Sequence, residues 1–203
     1  MNYKSTAERR AEIVHATLAI LAEHGLHAWT TAALAERVGV AEATIFRHFD
    51  SKDEILTEAL RHAAGQLRRH VERYQGSGAA WDRIEGLILH VLAHIEATDG
   101  APLVVLTGQA KRMSPNVQRD VEATLAVVRA RLVGLFQEAM ADLPAPHRHD
   151  AGVLADLAIA IGQGTALRWL ISGRRLPLEE RARAMLGVLR ACFERPSGRG
   201  KRR

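Results

Sequence analysis

Residues 30–54, with the sequence TTAALAERVGVAEATIFRHFDSKDE, decide the fold of this chain. Thr30 or Thr31 can cap a short helix that runs to Val38, because a threonine oxygen accepts an amide proton that the first helical turn leaves without a partner. Gly39 then allows a tight turn, since glycine tolerates backbone angles that other residues avoid. The start of this segment therefore predicts a short helix that ends in a sharp change of direction.

A third short helix is predicted after the turn, over residues 42–48. Ser51 followed by Glu54 forms a capping box, which marks the beginning of another helix. Apolar residues at helical spacing carry that fourth helix to about Tyr74, where the sequence Gly-Ser-Gly at residues 76–78 breaks the pattern.

Two short helices joined by a glycine turn form a helix-turn-helix, whose second helix fits the major groove of DNA. Six apolar side chains are expected to set the angle between the helices: Leu34, Ala35, Val38, Val40, Ile45 and Phe49. Six others are expected to face outward: Ala41, Glu42, Ala43, Thr44, Arg47 and His48. Arg47 and His48 have the reach to contact phosphates or bases, and the Thr44 methyl group can meet a thymine methyl group.

These residues resemble the TetR/AcrR family of transcriptional regulators, and the resemblance covers about 50 residues at the N-terminus. The matching positions are Leu34-Ala35, Gly39-Val40, Phe46-Arg47-His48-Phe49 and Ser51-Lys52. The resemblance implies that Thr30 or Thr31 and Lys52 contact phosphates, which fix the register on DNA and not the sequence that is bound. Ala41 and Phe46 depart from the family pattern, which usually has a hydroxylated cap at the first position and a tyrosine at the second. Each departure removes one group that could form a hydrogen bond.

Helical periodicity dominates the whole chain of 203 residues. Helices are also expected over residues 7–23, 79–97, 102–112, 115–141, 151–172 and 177–194, with prolines at the starts of three of them. We predict an all-α protein of about nine helices. The family resemblance divides it into a helix-turn-helix domain at residues 1–50, a helical effector-binding and dimerisation domain at residues 51–195 and a basic, disordered tail at residues 196–203.

The net charge of +5 comes from the C-terminal residues Arg195, Arg199, Lys201, Arg202 and Arg203. Residues 1–73 carry ten basic and ten acidic side chains, so DNA binding has to be argued from positioned residues and not from bulk charge.

Cys192 is the single cysteine, which excludes an internal disulfide and favours a reducing compartment. No targeting segment or membrane span is evident. We therefore expect a cytoplasmic protein without a membrane partner.

A small apolar effector is expected to bind among the helices after residue 79. The predicted apolar walls are Leu87, Val91, Leu106, Met113 and Trp169, and the predicted polar contacts are His90, His94 and Gln109. Plain core packing is the alternative for each apolar residue. His90 and His94 lie four residues apart, as two metal ligands would, but no third ligand is evident. The sequence therefore predicts no metal and no cofactor.

The last two helices are the expected site of homodimerisation, through a four-helix interface. The predicted contacts on the first are Leu154, Leu157, Ala158, Ile161 and Thr165, and on the second Met185, Leu189 and Phe193. The alternative is that both rows of residues belong to the internal core.

The sequence therefore favours a DNA-binding transcriptional regulator, a repressor that a small ligand releases from a palindromic operator. A cell-division regulator is the second hypothesis, because residues 101–110, APLVVLTGQA, look like the nucleoid occlusion branch of the family, whose members bind DNA and a tubulin-like division protein. An enzyme is a remote third, since the motifs typical of serine hydrolases, zinc proteases, phosphate loops and dinucleotide-binding folds are missing.

Overall fold

The structure, a computed structural model, describes residues 5–101, 103, 115–141 and 149–194, without the side chains of residues 117, 193 and 194. These residues form eight helices: α1 (Thr6–Ala28), α2 (Thr31–Val38), α3 (Glu42–Ile45), α4 (Lys52–Arg73), α5 (Ala80–Ala97), α6 (Pro115–Met140), α7 (Ala151–Ile171) and α8 (Leu178–Glu194). No strand occurs in this part of the chain, which confirms the all-α prediction. The helix expected at residues 102–112 and the tail lie outside the described residues, Leu103 excepted.

Helix α1 begins with a capping box that the sequence analysis did not identify. The Ser5 hydroxyl accepts a hydrogen bond from the Glu8 amide at 3.2 Å, and the Glu8 carboxylate accepts one from the Ser5 amide at 2.7 Å. The pattern Ser-x-x-Glu at residues 5–8 was the available sequence signature. The helix extends beyond the predicted end at residue 23: Gly25, with a φ of 73°, interrupts it by a kink, and it then resumes to Ala28.

Helix α3 is shorter than predicted and consists of a single turn. It ends at Ile45 and not at His48, because the backbone hydrogen bonds tighten beyond that point: the amide of Arg47 bonds to the carbonyl of Thr44, and that of His48 to the carbonyl of Ile45. Bonds that span three residues form a tighter winding than an α-helix. The segment from Glu42 to His48 is still one continuous turn structure, which we call the recognition segment.

The N-terminal helices share one apolar core. Among its fully buried members are Ile13 and Leu21 of α1, Leu34 of α2, Ile45 of α3, and Phe49 just before α4. Burying a side chain of this size stabilises a fold by about 1.5–3 kcal/mol. The angle between α2 and α3 is therefore set by packing, as predicted. Four of the six expected contacts are buried, and Val38 and Val40 pack partly buried against the same cluster.

The backbone contacts divide the chain into two compact units. The first comprises Met1–Arg69 and His94–Thr124, and the second comprises His70–Ala93 and Leu125–Arg203. Helices α1 to α3 lie in the first unit, and α7 and α8 lie in the second. The expected domain boundary at residue 50 stays a prediction.

In the second unit, α7 and α8 pack against each other. The buried side of α7 includes Leu154, Ala158, Thr165 and Trp169, and that of α8 includes Leu186. Within the described residues α7 is long and apolar enough to cross a membrane by length and composition, a test that core helices of soluble proteins also pass. The buried side of α7 belongs to the core of the second unit.

Candidate nucleic-acid interface

The start of α2 offers a hydroxyl group and helix-end amides. Thr30 is exposed, and its Oγ1 accepts a hydrogen bond from the Ala33 amide at 3.1 Å, so Thr30 is the residue that caps α2. Its hydroxyl proton is left to donate to another group. Thr31 is only 7% exposed and contributes to packing. Of the two threonines, Thr30 is therefore the one placed to contact an anion at this helix end.

The recognition segment presents small and polar side chains to solvent. Ala41, Glu42, Ala43 and Arg47 are exposed, as is the ring of Phe46 at 44%. Thr44 and His48 are half-buried. Ile45 and Phe49 point into the core. The alanines leave room for close approach of a partner, and the long cation at residue 47 projects beside them.

His48 is partly anchored inside the protein. Its ring Nδ1 is buried, and it finds no hydrogen-bond partner among the described residues. Nδ1 is therefore out of reach of an outside partner, and Nε2 is the ring nitrogen left for such a contact.

Lys52 and Arg47 are the cations available in this region. Residues 30–60 contain only three cations, and Arg37 is engaged by Glu23 of α1 through two hydrogen bonds of 2.6 Å. Lys52 is exposed as the first residue of α4. A phosphate backbone would therefore meet two positioned cations.

The predicted capping box of α4 forms only in part. The Glu54 amide donates to the Ser51 hydroxyl at 3.1 Å, as expected. The Glu54 carboxylate accepts instead from the Asp50 amide at 2.6 Å and pairs with Arg10 of α1 at 3.0 Å. The Asp50 hydrogen bond, followed by Arg10, holds the pKa of Glu54 below its ordinary value.

Arg10 is a residue of this site that the sequence analysis missed. Its guanidinium group donates to the backbone carbonyl of His48, lies 4.0 Å from the ring centroid of Phe49 and pairs with Glu54. These partners lie 38 to 44 residues away in the sequence. No local pattern could have identified the contact.

The predicted effector-binding residues differ in how deeply the structure buries them. Leu87 and Trp169 are buried, while Val91 and His94 are half-buried. Leu106, Gln109 and Met113 lie outside the described residues. Core packing thus accounts for Leu87 and Trp169 in the structure as it stands, and the ligand role of the set stays a prediction.

His90 is engaged in a reciprocal pair with His70. Each ring Nε2 contacts the backbone carbonyl of the other residue, at 3.1 and 3.2 Å, and the rings stack with centroids 3.8 Å apart. Burial, and then the neighbouring His90, lowers the pKa of His70. His90 therefore joins α4 to α5 in this structure. No group of three metal-ligating side chains occurs in the described part of the chain.

The predicted dimer contacts fall on both sides of α7 and α8. Leu157 and Met185 are exposed, Ile161 and Leu189 are half-buried, and Leu154, Ala158 and Thr165 are buried inside their own subunit. The Phe193 side chain is not described. The exposed side of α7 instead carries Val153, Leu157, Ala160, Gly164, Leu167 and Ile171, and that of α8 carries Met185, Val188 and Cys192. We call these nine residues the apolar face.

Comparison with known proteins supports a single family. Residues 13–59 match the family model for bacterial regulatory proteins of the tetR family. The HTH-type transcriptional repressor KstR2 of Mycolicibacterium smegmatis is 28% identical over 188 residues, which cover 90% of this chain and 89% of that protein. The nucleoid occlusion factor SlmA of Pectobacterium carotovorum is 26% identical, over 81% of this chain and 84% of that protein.

Solved structures share the fold. A regulator from Saccharomonospora viridis in complex with choline superposes with a TM-score of 0.76 and 19% identity, covering 91% of this chain and 96% of that one. The matched model spans α2, α3 and the beginning of α4, where the positioned side chains lie. Residues 13–59 are therefore similar to the DNA-binding region of the tetR family, and the fold of the chain is shared with transcriptional regulators.

Proposed function

We propose that this protein is a homodimeric repressor that binds a palindromic operator through Thr30, the recognition segment and Lys52, and that a small molecule releases it. The observation that carries the proposal is the recognition segment itself: a buried base of Ile45 and Phe49 supports exposed Ala43 and Arg47. A helix of this kind enters the major groove with its small residues close to the bases.

Each contact residue has a separate expected role. Arg47 is the candidate for base recognition, since a guanidinium group pairs with two acceptors of guanine at once. The Thr44 methyl group fits a thymine methyl group, and Nε2 of His48 contacts a phosphate or a base. Thr30 and Lys52 bind phosphates on either side of the groove. The rest of the proposed DNA-binding surface is formed by Ala41, Glu42, Ala43 and Phe46. The buried Thr31 contributes to the packing of α2 behind it.

Dimerisation is proposed through the apolar face. The exposed positions of α7 are spaced by alternating steps of four and three residues, from Val153 to Ile171, which is the repeat of helices that pack against each other. Ile171 is 77% exposed and Val188 is 66% exposed. A second copy of the same face would remove these side chains from water, and Gly164 would allow the helices to approach closely.

The proposed release signal is a small molecule. The homologue KstR2 is named a repressor, and a structural neighbour holds choline, which supports a small-molecule signal without identifying it. A ligand that binds the released form more tightly than the DNA-bound form would shift the population away from the operator. The predicted lining residues from Leu87 to Trp169 stay candidates. A cytoplasmic location belongs to the same proposal.

The nucleoid occlusion hypothesis is less favoured. The sequence identity to SlmA is 26%, and that to KstR2 is 28%. Most of residues 101–110, which suggested the hypothesis, lie outside the described part of the chain. A shared fold does not carry a shared partner.

The test is a binding-site selection with the purified full-length protein and a pool of random-sequence DNA duplexes. We expect a palindrome whose half-sites lie about 34–36 Å apart, one turn of DNA, or a multiple of that distance. Arg47→Ala is the loss-of-function variant. Arg119→Ala, which removes an exposed arginine from α6, is its matched control. Enrichment of no sequence, or equal enrichment by wild type and Arg47→Ala, would contradict the proposal.

A further inference from the structure

We propose that Arg10 is a positioning residue for DNA recognition, which clamps the end of the recognition segment to α1 and to the start of α4. The inference rests on the proposed function, because it assigns the clamp the task of holding residues that bind DNA. It adds a residue that lies outside the helix-turn-helix and outside the matched family model, which begins at residue 13.

The clamp consists of three contacts made by one planar group. Arg10 Nη1 donates to the His48 carbonyl, and Nη2 donates to Glu54 Oε1 at 3.0 Å. The same guanidinium lies over the ring of Phe49, 4.0 Å from its centroid. Arginine can donate two hydrogen bonds in its plane while its face stacks on an aromatic ring, and lysine cannot.

Glu54 extends the clamp into α4. One of its carboxylate oxygens binds Arg10, and the other accepts from the Asp50 amide at 2.6 Å. Its own amide is held by Ser51. The carboxylate therefore connects α1, the residues between α3 and α4, and the first turn of α4. The lowered pKa of Glu54 agrees with this arrangement, because both partners favour the ionised form.

The recognition segment needs external support because it is short. Helix α3 has four residues, and its cap, Ala41, makes no side-chain hydrogen bond. A single turn without a cap is not stable by itself. The position of the recognition segment therefore depends on the burial of Ile45 and Phe49 and on the clamp at His48. Loss of the clamp should therefore loosen the residues that carry Arg47 and His48.

The alternative is that Arg10 acts only as a positive charge near DNA. Arg9 provides the matched control, since it lies next to Arg10 in the same helix and pairs with Glu12 of that helix at 2.7 Å. Both arginine side chains are partly exposed, 20% for Arg9 and 35% for Arg10. The variants Arg10→Met and Arg9→Met remove the same charge, but only the first removes contacts with the recognition segment.

Glu54→Gln separates the two explanations by the sign of its effect. If charge alone mattered, removal of an acidic group near the DNA would tighten binding. If the clamp matters, Glu54→Gln weakens binding although it removes a negative charge. Glutamine keeps an oxygen that can accept from the Asp50 amide, so the change acts mainly on the pair with Arg10.

The experiment measures the affinity of each variant for the selected duplex and for a scrambled duplex at one salt concentration. We expect Arg10→Met to lose about tenfold in affinity for the selected duplex and Glu54→Gln about threefold, since a charged hydrogen bond contributes more than a neutral one. Arg9→Met should lose less than about twofold. Affinity for the scrambled duplex should fall equally in the two methionine variants. Arg10→Lys should recover part of the loss.

Two results would overturn the clamp: equal losses in Arg10→Met and Arg9→Met, or tighter binding by Glu54→Gln. The double variant Arg10→Met with Glu54→Gln should lose no more than Arg10→Met alone, and additive losses would also count against it.

Amide hydrogen exchange without DNA gives an independent measure. Exchange at Ile45 to Phe49 should quicken in Arg10→Met and in Glu54→Gln, but not in Arg9→Met. If wild type selects no DNA sequence, the proposed function fails, and the exchange result still decides whether the clamp exists.

Discussion

The recognition segment and the apolar face are two exposed surfaces of opposite chemistry. The first exposes Glu42, Arg47 and small alanines. The second exposes Val153, Leu157 and other apolar side chains along α7 and α8. A polyanion such as DNA is recognised by positioned donors and cations, and a second protein copy is recognised by the removal of apolar surface from water. The chemistry that each surface exposes therefore indicates the kind of partner it binds.

The two surfaces also differ in how they are held in place. Helix α7 has 21 residues, and α8 packs against it, so its exposed face is part of a regular and self-supporting element. Helix α3 has four residues and depends on buried neighbours and on Arg10. Substitutions on the apolar face should thus act through loss of the partner copy. Substitutions around the recognition segment should act either directly on DNA contacts or indirectly through the position of the segment.

The largest expected effect is from a charge placed on the apolar face. Val188→Glu leaves the core intact, because the side chain is 66% exposed, but it places a carboxylate in the proposed interface. We expect monomers in analytical ultracentrifugation and a loss of operator affinity of at least about 100-fold, because two linked half-sites bind far more tightly than one. Leu125→Glu, on an exposed residue of α6, is the control. A dimeric Val188→Glu would show that α8 does not form the interface.

The next effect concerns base recognition. Arg47→Ala should weaken binding to the selected operator at least about tenfold, because a bidentate contact to a base is lost. Its circular dichroism melting curve should match wild type, since the exposed Arg47 side chain makes no hydrogen bond or ion pair with the described residues. Electrophoretic mobility shift at matched salt measures the change. Wild-type affinity in this variant would remove Arg47 from the interface.

A smaller and uniform effect is expected for a phosphate contact. Lys52→Ala should lower affinity several-fold for all duplexes alike and reduce the slope of log affinity against log salt by about one. Titrations of the selected and scrambled duplexes at several salt concentrations measure both quantities. A change in the preferred bases would mean that Lys52 reads sequence and not only charge.

The smallest expected effect is the pH dependence of thermal stability, to which each unit contributes one histidine. Burial lowers the pKa of His62 in the first unit and of His70 in the second, below the ordinary value of 6.5. The unfolded chain then binds protons that the folded chain excludes, so this contribution to stability is complete above pH 6.5 and declines as the pH falls below it. The melting temperature should therefore fall by a few degrees between about pH 7 and pH 5.5. His62→Gln and His70→Gln should each reduce that fall, and an unchanged fall in both would exclude these histidines as its source.

The N-terminal site was largely predictable, because its determinants are local. Thr30 caps α2, Gly39 adopts the left-handed conformation with φ 74°, and Ser51 holds the first turn of α4. Each involves residues within a few positions of each other, and local hydrogen bonding has recognisable patterns. The end of α3 at Ile45 was not predictable in this way. The sequence remains compatible with helix to His48, and the tighter turn reflects how that segment meets Phe49 and Arg10.

The apolar face was predicted with the right helices and only partly with the right residues. Periodicity identifies apolar residues on α7 nearly all the way around, so it cannot decide which side faces the core of the same subunit. The structure assigns Leu154, Ala158 and Thr165 to that core, and leaves Val153 and Leu157 exposed. Packing against α8 makes this choice.

The sequence by itself determined the helices, their caps and the pair of short helices that bears the proposed DNA-binding residues, because those features depend on neighbours along the chain. Tertiary structure alone decided which side of α7 is exposed, that His90 stacks on His70, and that Arg10 meets His48 and Glu54 across 38 and 44 residues. The physical reason is that side-chain contacts between helices depend on where the shared core brings those helices together, and no local pattern encodes that position.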